Sequence, residues 1–394
     1  MLVLAAGFAL VQSAFAAAPA PASAAAATLP ASNPLASAST LPFEYPAFDK
    51  IKDEHFKPAY AAGMAEQLRE VDAIANSRDA PSFENTIVAM EKSGRLLTRV
   101  ATIFSSLQGA NTNDALDAID RDMSPRLAAH NDAIFLNTKL YQRVKALYDK
   151  RASLGLDPES AFLLERYNKD FVLAGANLNA ADKKKLKAYN GQIAIMQTAF
   201  TQNVLKETNA SALVVDTREE LAGMTPAAID AAAAEATKRK LDGKFVVPLM
   251  NTTGQPPLAV LTNRATREHL LAASMARGSH GGKFDNRNTV LKLAKLRAER
   301  AALLGYPNFA SYSLVDQTAQ NPANVNKLLA ELAKPAVANA RKEAGEIQKL
   351  IDAEKGGFKV AAHDWAFYTD KVRAARYAFD ENQLKPYFEL DSVL

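Results

Sequence analysis

Apolar residues recur at spacings of three and four along most of this chain, and they set out a succession of amphipathic helices. Phe56, Tyr60, Met64, Leu68, Val71 and Ile74 fall on one face of a helix, the periodicity expected when one side of a helix is buried. Ser82 stands ahead of the next apolar run as an N-cap, where its hydroxyl can accept from a free backbone N–H of the first turn. That run, Phe83 to Ser93, is punctuated by Gly94, and a further helix is predicted to about Gln108. Helices are also predicted over 113–131, 133–150, 158–172 and 180–208. The breaks between them fall at Asn111-Thr112-Asn113, at Leu154 to Pro158 and at Leu178-Asn179, where turn-forming residues cluster.

The pattern changes at Ser211. Ala212 to Val215, Phe245 to Val247 and Leu258 to Leu261 are short β-prone runs. The turn-rich stretch Asn251 to Pro256 between the last two predicts a hairpin, and residues 226–240 read as a helix. Helical periodicity returns at 264–277 and 286–304. The second of these ends on Gly305, which can take a left-handed conformation, and Pro307 blocks continuation. A long helix is predicted from Pro322 to about Glu354. The fold class is therefore mainly α, with a small sheet inserted around 211–262. No repeat with a period of roughly 33–47 residues occurs, which counts against a helical solenoid.

At 394 residues the chain exceeds the roughly 250–300 that one core usually serves. Lys plus Arg is 47 against 43 for Asp plus Glu, a formal charge of +4. An excess so small and dispersed predicts no nucleic-acid partner. The tightest basic run, Lys183-Lys184-Lys185 with Lys187, reads as a solvated helix face. There is no cysteine, so disulfides, thiolate nucleophiles and Cys-ligated metals are excluded.

Leu2 to Ala16 is apolar but shorter than the roughly 20 residues of a membrane-spanning helix. It ends in Ala14-Phe15-Ala16, with small residues at the two positions that a signal peptidase pocket accepts. Residues 1–16 are read as a signal peptide and 17–42, rich in Ala, Pro and Ser, as a disordered tether. A positive charge ahead of the apolar stretch is missing, since the first Lys or Arg is Lys50. Export to the periplasm, with no membrane insertion after cleavage, is the expectation. Residues 43–210 then form an N-terminal helical region, and a second region runs over 211–394.

Catalytic motifs are scarce. No two of the five histidines, His55, His130, His269, His280 and His363, lie within four residues of each other, so no helical pair can present two imidazoles to one metal. Each reads as a surface or hydrogen-bonded structural residue. Neither a nucleophile elbow nor a phosphate loop occurs. Gly278-Ser279-His280-Gly281-Gly282 lies between two helices and reads as a flexible loop, with a substrate-facing role as the sharper alternative. Glu219-Glu220 suits a solvated helix start. Trp365, Phe367 and Tyr368 read as core packing.

Several segments carry a resemblance. Asn33-Pro34, Leu41-Pro42, Phe48 to Lys52, His55-Phe56, Phe83 to Ile87 and Ser93-Gly94 resemble the opening of bacterial peptidyl-dipeptidases of the thimet oligopeptidase family. Arg277-Gly278, Asp285-Asn286, Ala301 to Tyr306, Asn308 to Ala310, Asp364-Trp365, Phe367-Tyr368 and Leu384 to Phe388 continue it. The resemblance implies a two-lobed, mainly helical zinc peptidase that admits short peptides to a channel and releases C-terminal dipeptides. Close relatives that cut internally are the alternative within the family. It implies one zinc ion, held by the histidines of a His-Glu-x-x-His helix and a later glutamate, with the motif glutamate as general base. That motif is absent here and belongs beyond the Tyr387-Phe388 region. No catalytic or metal residue is therefore assigned, and substrate-binding residues are left open. The chain is expected to be a catalytically incomplete, monomeric piece, with 211–394 as the start of the peptidase domain. The competing reading is a periplasmic helical binding or scaffold protein without catalysis.

Overall fold

Short polar side chains start helix after helix. Asn137 Oδ1 accepts from Leu140 N (3.1 Å), Asp157 from Glu159 N and Ser160 N, and Asn179 from Asp182 N (2.9 Å). Thr225, Asn263, Asn308 and Asn321 do the same for later helices. Each such cap stabilises its helix by about 1 kcal/mol, and Pro158, Pro226 and Pro322 occupy first-turn positions, where a missing N–H costs nothing. The structure, a computed structural model, describes residues 29–250, 252, 254–377, 384 and 386–393. The expected signal peptide, the first part of the tether, Asn251, Thr253 and Lys385 lie outside the described residues.

The chain divides into two compact units, Met1–Ile119 and Asp120–Leu394. The division falls inside a helix, whereas the change in sequence pattern at Ser211 lies within the second unit.

The first unit is built on α1 (Phe56–Ala75) and α3 (Arg95–Asn111). Phe104 of α3 meets Phe56 and Tyr60 of α1 edge-on, with ring centroids 5.1 and 5.6 Å away. Between them a π-helical turn, Phe83–Val88, runs into the short α2 (Ala89–Glu91). Ser82 caps that turn as predicted, accepting from Asn85 N at 3.0 Å while Asn85 returns the bond to Ser82 N. Residues 33–36, assigned by composition to the disordered tether, are instead packed. Leu35 is fully buried, Arg99 donates to the carbonyls of Leu35 and Ala36, and Asn33 donates to His55 O. One leucine in an Ala-Ser background is a weak periodic signal, but burying it still contributes about 2 kcal/mol.

The second unit contains most of α4 (Asp114–Phe135), then α5 (Thr138–Asp149), α6 (Pro158–Ala174) and α7 (Ala180–Ala210). The break predicted near residue 132 falls at Leu136-Asn137, where Asn137 supplies the cap. Strands β1 (Leu213–Val215) and β2 (Phe245–Val247) pair antiparallel, Leu213 with Val247 and Val215 with Phe245. α8 (Pro226–Lys238) connects them and packs on β2. The expected hairpin between 245–247 and 258–261 does not form. Pro256–Ala259 is a 3-10 turn, because two consecutive prolines, Pro256 and Pro257, cannot donate to a strand ladder. Leu258 and Leu261 are buried there with Leu221, Leu249 and Leu270.

Beyond the sheet come α9 (Arg264–Met275), α10 (Arg287–Leu303), α11 (Phe309–Leu314), α12 (Pro322–Ala353), α13 (Ala362–Tyr377) and α14 (Leu390–Val393). Gly305 has φ of 86°, Tyr306 N donates to Ala301 O and Gly305 N to Ala302 O. These are the paired bonds of a left-handed helix end. α10 packs on α7 through Ile193, Leu293 and Leu296, and α13 packs on the last turns of α12 around Ile347, Ile351 and Tyr368.

Two glycines on helices test this packing in opposite directions. A Cβ on Gly63 of α1 would lie 2.9 Å from the Leu97 backbone, whereas one on Gly345 of α12 meets nothing within 4 Å. Gly63→Ala is expected to lose about 1–3 kcal/mol through overpacking, and Gly345→Ala to gain about 0.5–1 kcal/mol from helix propensity. Urea midpoints moving in the same direction for both variants would contradict this.

Candidate functional site

Two polar centres in the second unit join buried charged side chains to backbone groups of distant segments. The first lies where α9, α13 and the 256–262 turn converge. Arg264 and Arg267, three residues apart on α9, share a face and both reach Asp364 in the first turn of α13. Arg267 is only 1% exposed and Asp364 is fully buried. Arg267 Nη2 donates to Asp364 Oδ1 at 2.8 Å, Nη1 to the carbonyls of Leu261 and Thr262, and Nε to His363 O. Arg264 donates from Nε and Nη2 to Asp364 at 2.9–3.2 Å, and Ala361 N donates to Oδ2 at 3.1 Å. Burial alone would raise the Asp364 carboxyl, but Arg264, Arg267 and the Ala361 N–H outweigh it and hold the group below its ordinary value. The guanidinium of Arg267 also lies 4.3 Å from the Phe367 ring centroid, adding a cation–π contact.

The second centre is Glu207, buried near the end of α7. Its carboxylate accepts from Gly278 N and engages His280 Nδ1. The 278–286 loop is tied further by Asn286 N to Gly278 O (2.8 Å), by Asn286 Nδ2 to Phe200 O and by Gly281 N to Asp285 Oδ2 (2.8 Å). Arg287, with the backbone N–H groups of Arg287 and Gly281, holds the Asp285 carboxyl down to about 2. The sequence predicts a flexible loop here; the structure instead anchors it at both ends. Gly278 must be glycine-like for conformational reasons, with φ of 73°. With the Gly278 and Gly281 N–H groups engaged by carboxylates, the loop offers an anion a poor cradle.

The remaining candidates resolve as structural. His55 Nδ1 accepts from Lys52 N in the turn before α1. His130 is buried on α4, and burial lowers its pKa. His269 is exposed on α9. His363 Nε2 lies 3.6 Å from Asp364 Oδ2, an oxygen already taken by Arg264 and Ala361. Asp132 is buried and its carboxyl pushed up by burial, against the pull of Asn190, Lys187 and Arg300. Trp365, Phe367 and Tyr368 join Phe358, Ile347 and Ile351 in the α12–α13 core, as expected. Glu220 caps the 219–221 turn by accepting from Asp216 N and Thr217 N. Lys183 differs from its solvated reading: its Nζ donates to Leu136 O and Thr138 Oγ1, and burial lowers its pKa.

A zinc site needs three convergent protein ligands. Among the described residues no group of three or more His, Cys, Asp or Glu side chains converges. His280 with Glu207 is a pair at most, and Glu207 already serves Gly278. The described residues therefore do not fit a catalytic zinc. The sequence reading missed the Arg264–Arg267–Asp364 centre and, separately, the anchoring role of Glu207. The available signals were a same-face arginine pair on α9 and an aspartate in a helix first turn, but their partners lie about 100 residues away.

The described residues thus form a helical chain with a two-stranded sheet, and both polar centres hold segments of that chain together. Residues 258–394 match the Peptidase family M3 model, which identifies that stretch as part of a peptidase M3 domain. The chain is 43% identical over 362 residues to the dipeptidyl carboxypeptidase of Salmonella typhimurium, covering 92% of this chain and 53% of that protein. The Escherichia coli protein of the same name is 42% identical over 362 residues with the same coverage. Oligopeptidase A of Escherichia coli is 27% identical over 351 residues, covering 88% of this chain and 52% of that protein. The chain thus spans about half the length of the curated relatives it matches. No helix among the described residues is long and apolar enough to cross a membrane.

Removing the carboxylate with Asp364→Ala strands two guanidiniums and is expected to cost about 3–5 kcal/mol. Because the folded Asp364 pKa lies below the unfolded value of about 3.9, its contribution is complete above that value. It is lost as pH falls through the lower folded pKa. The thermal midpoints of wild type and Asp364→Asn should therefore converge on acidification below pH ~4; a constant gap would refute the assignment. For the second centre, Glu207→Ala should cost about 1–3 kcal/mol by leaving the Gly278 N–H unpaired. It should also accelerate amide exchange across 278–286, whereas unchanged exchange there would show that Glu207 does not anchor the loop.

Proposed function

We propose that the protein to which this chain belongs is a zinc peptidase that releases dipeptides from the C-termini of short, unstructured peptides. The carrying observation is the 43% identity over 362 residues to a dipeptidyl carboxypeptidase, well above the 27% to oligopeptidase A. That difference favours trimming from the end over internal cleavage. Bound zinc supplies such an enzyme with a Lewis acid and a water whose pKa falls to about 7. The ligands are assigned outside the described residues, because the histidines here form no convergent set. On this reading the chain contributes the N-terminal helical region, 43–210, and the start of the peptidase domain, 211–394, without a catalytic residue.

Export to the periplasm is part of the proposal. It rests on the apolar stretch Leu2 to Ala16 with Ala14-Phe15-Ala16, and sequencing of the mature periplasmic product should begin at Ala17. For activity, the whole protein incubated with an unblocked peptide is expected to shorten it in two-residue steps from the C-terminus, detected by mass spectrometry. Chelation should abolish the activity and zinc restore it. The 394-residue chain alone should yield no product. Cleavage insensitive to chelator, or internal cuts only, would reject the assignment.

A further inference from the structure

One apolar stripe runs the length of α12. Val325, Leu329, Leu332, Ala336, Ala340, Ala344, Ile347 and Ile351 follow one another at intervals of three and four, which places them on a single face. Lys327, Glu331, Lys334 and Lys349 occupy the opposite side. The two ends of the stripe have different fates. Ile347 and Ile351 are buried against Tyr368 and Phe358. Leu329 and Leu332 are 57% and 56% exposed, and Leu328 and Val337 beside them are also exposed. A 3.6-residue period continued through the bare turns has no purpose in water, where the helix would be favoured by polar residues all round. Covering the leucines would remove apolar surface from water, which favours association. Elsewhere in this unit, Tyr377, Tyr387, Phe388 and Leu390 are exposed as well. Exposed apolar surface on this scale marks an interaction site.

We infer that the Val325–Ala340 face of α12 is a docking surface for the half of the M3 polypeptide that lies outside the region matched by this chain. Two observations select that occupant. The bare stripe is continuous with the α12–α13 interface, so it extends a contact already made within one subunit. The matched relatives are about twice as long, this chain covering 53% of the dipeptidyl carboxypeptidase. The segment 322–342 carries Lys327, Lys334, Arg341 and Lys342 against Glu331 alone, so the covering surface is apolar with an acidic rim. This inference rests on the family match, not on catalysis.

The test uses two arms. In one, this chain is continued through the remaining half of the Escherichia coli dipeptidyl carboxypeptidase as a single polypeptide. In the other, the two halves are co-expressed as separate chains. Amide exchange across 325–340 should slow by on the order of 100-fold in either form relative to the 394-residue chain. The Leu329→Glu/Leu332→Glu double variant should lose that protection and weaken co-purification at least tenfold. Lys349→Glu, on the opposite side of α12 and outside 322–342, should keep both. Unchanged exchange in both arms would overturn the inference. So would protection already present in the 394-residue chain with the mass of a dimer, which would assign the face to a second copy. A joined protein that protects 325–340 but cleaves no peptide would leave the docking surface standing and defeat the proposed activity alone.

Discussion

The second unit depends on one buried carboxylate shared by two arginines. Asp364 is fully buried, yet both its oxygens are taken, by Arg264, by Arg267 and by the Ala361 N–H. Removing a charge from water costs several kcal/mol unless its hydrogen-bonding capacity is met. The planar fork of Arg267 meets that demand and also reaches the carbonyls of Leu261, Thr262 and His363. Apolar contact around Leu261, Leu270 and Ala366 presses α9, α13 and the 256–262 turn together, but it tolerates sliding. Directional bonds to fixed carbonyls do not, so the ionic centre sets the register in which those segments meet.

The same logic recurs around the sheet and the glycine loop. Gln255 uses its side-chain amide to bond the backbone of Met250 and Thr252 and the hydroxyl of Ser274, standing in for a strand partner that Pro256 and Pro257 rule out. Glu207 fixes Gly278 and His280, and Asp285 fixes Gly281. Acids, amides and a histidine that in isolation suggest reactivity are thus committed to holding irregular backbone in place. Among the described residues none of these groups joins a cluster of three or more that could hold a metal ion.

Much of the fold was legible because helices announce themselves locally. The Ser82 cap, the α1 face of Phe56 and Tyr60, and the Gly305 helix end all depend on residues within a few positions of each other. The errors came where one local signal had to be weighed against another. Leu258 to Leu261 is apolar enough for a strand, yet the two prolines before it enforce a turn. Leu35 carried too little periodicity to stand out from the Ala-Ser background, and only the Arg99 donors to its carbonyl reveal that it is docked. Lys183 looked solvated within its lysine run because nothing nearby indicates that Leu136 O needs a donor.

The sequence by itself determined the helical class, helix ends such as the Ser82 cap and the Gly305 terminus, the absence of cysteine chemistry and the absence of paired histidines. These follow from hydrogen bonds and periodicities that span at most a few turns. Only the tertiary structure decided that β1 pairs with β2 across an intervening helix, that Arg267 is buried, and that the α12 stripe is covered at Ile351 but bare at Leu329. Each of those outcomes depends on groups brought together from distant positions, up to 100 residues apart for Arg264 and Asp364. Burial and charge pairing are set by which surfaces meet, and local periodicity contains no information about that.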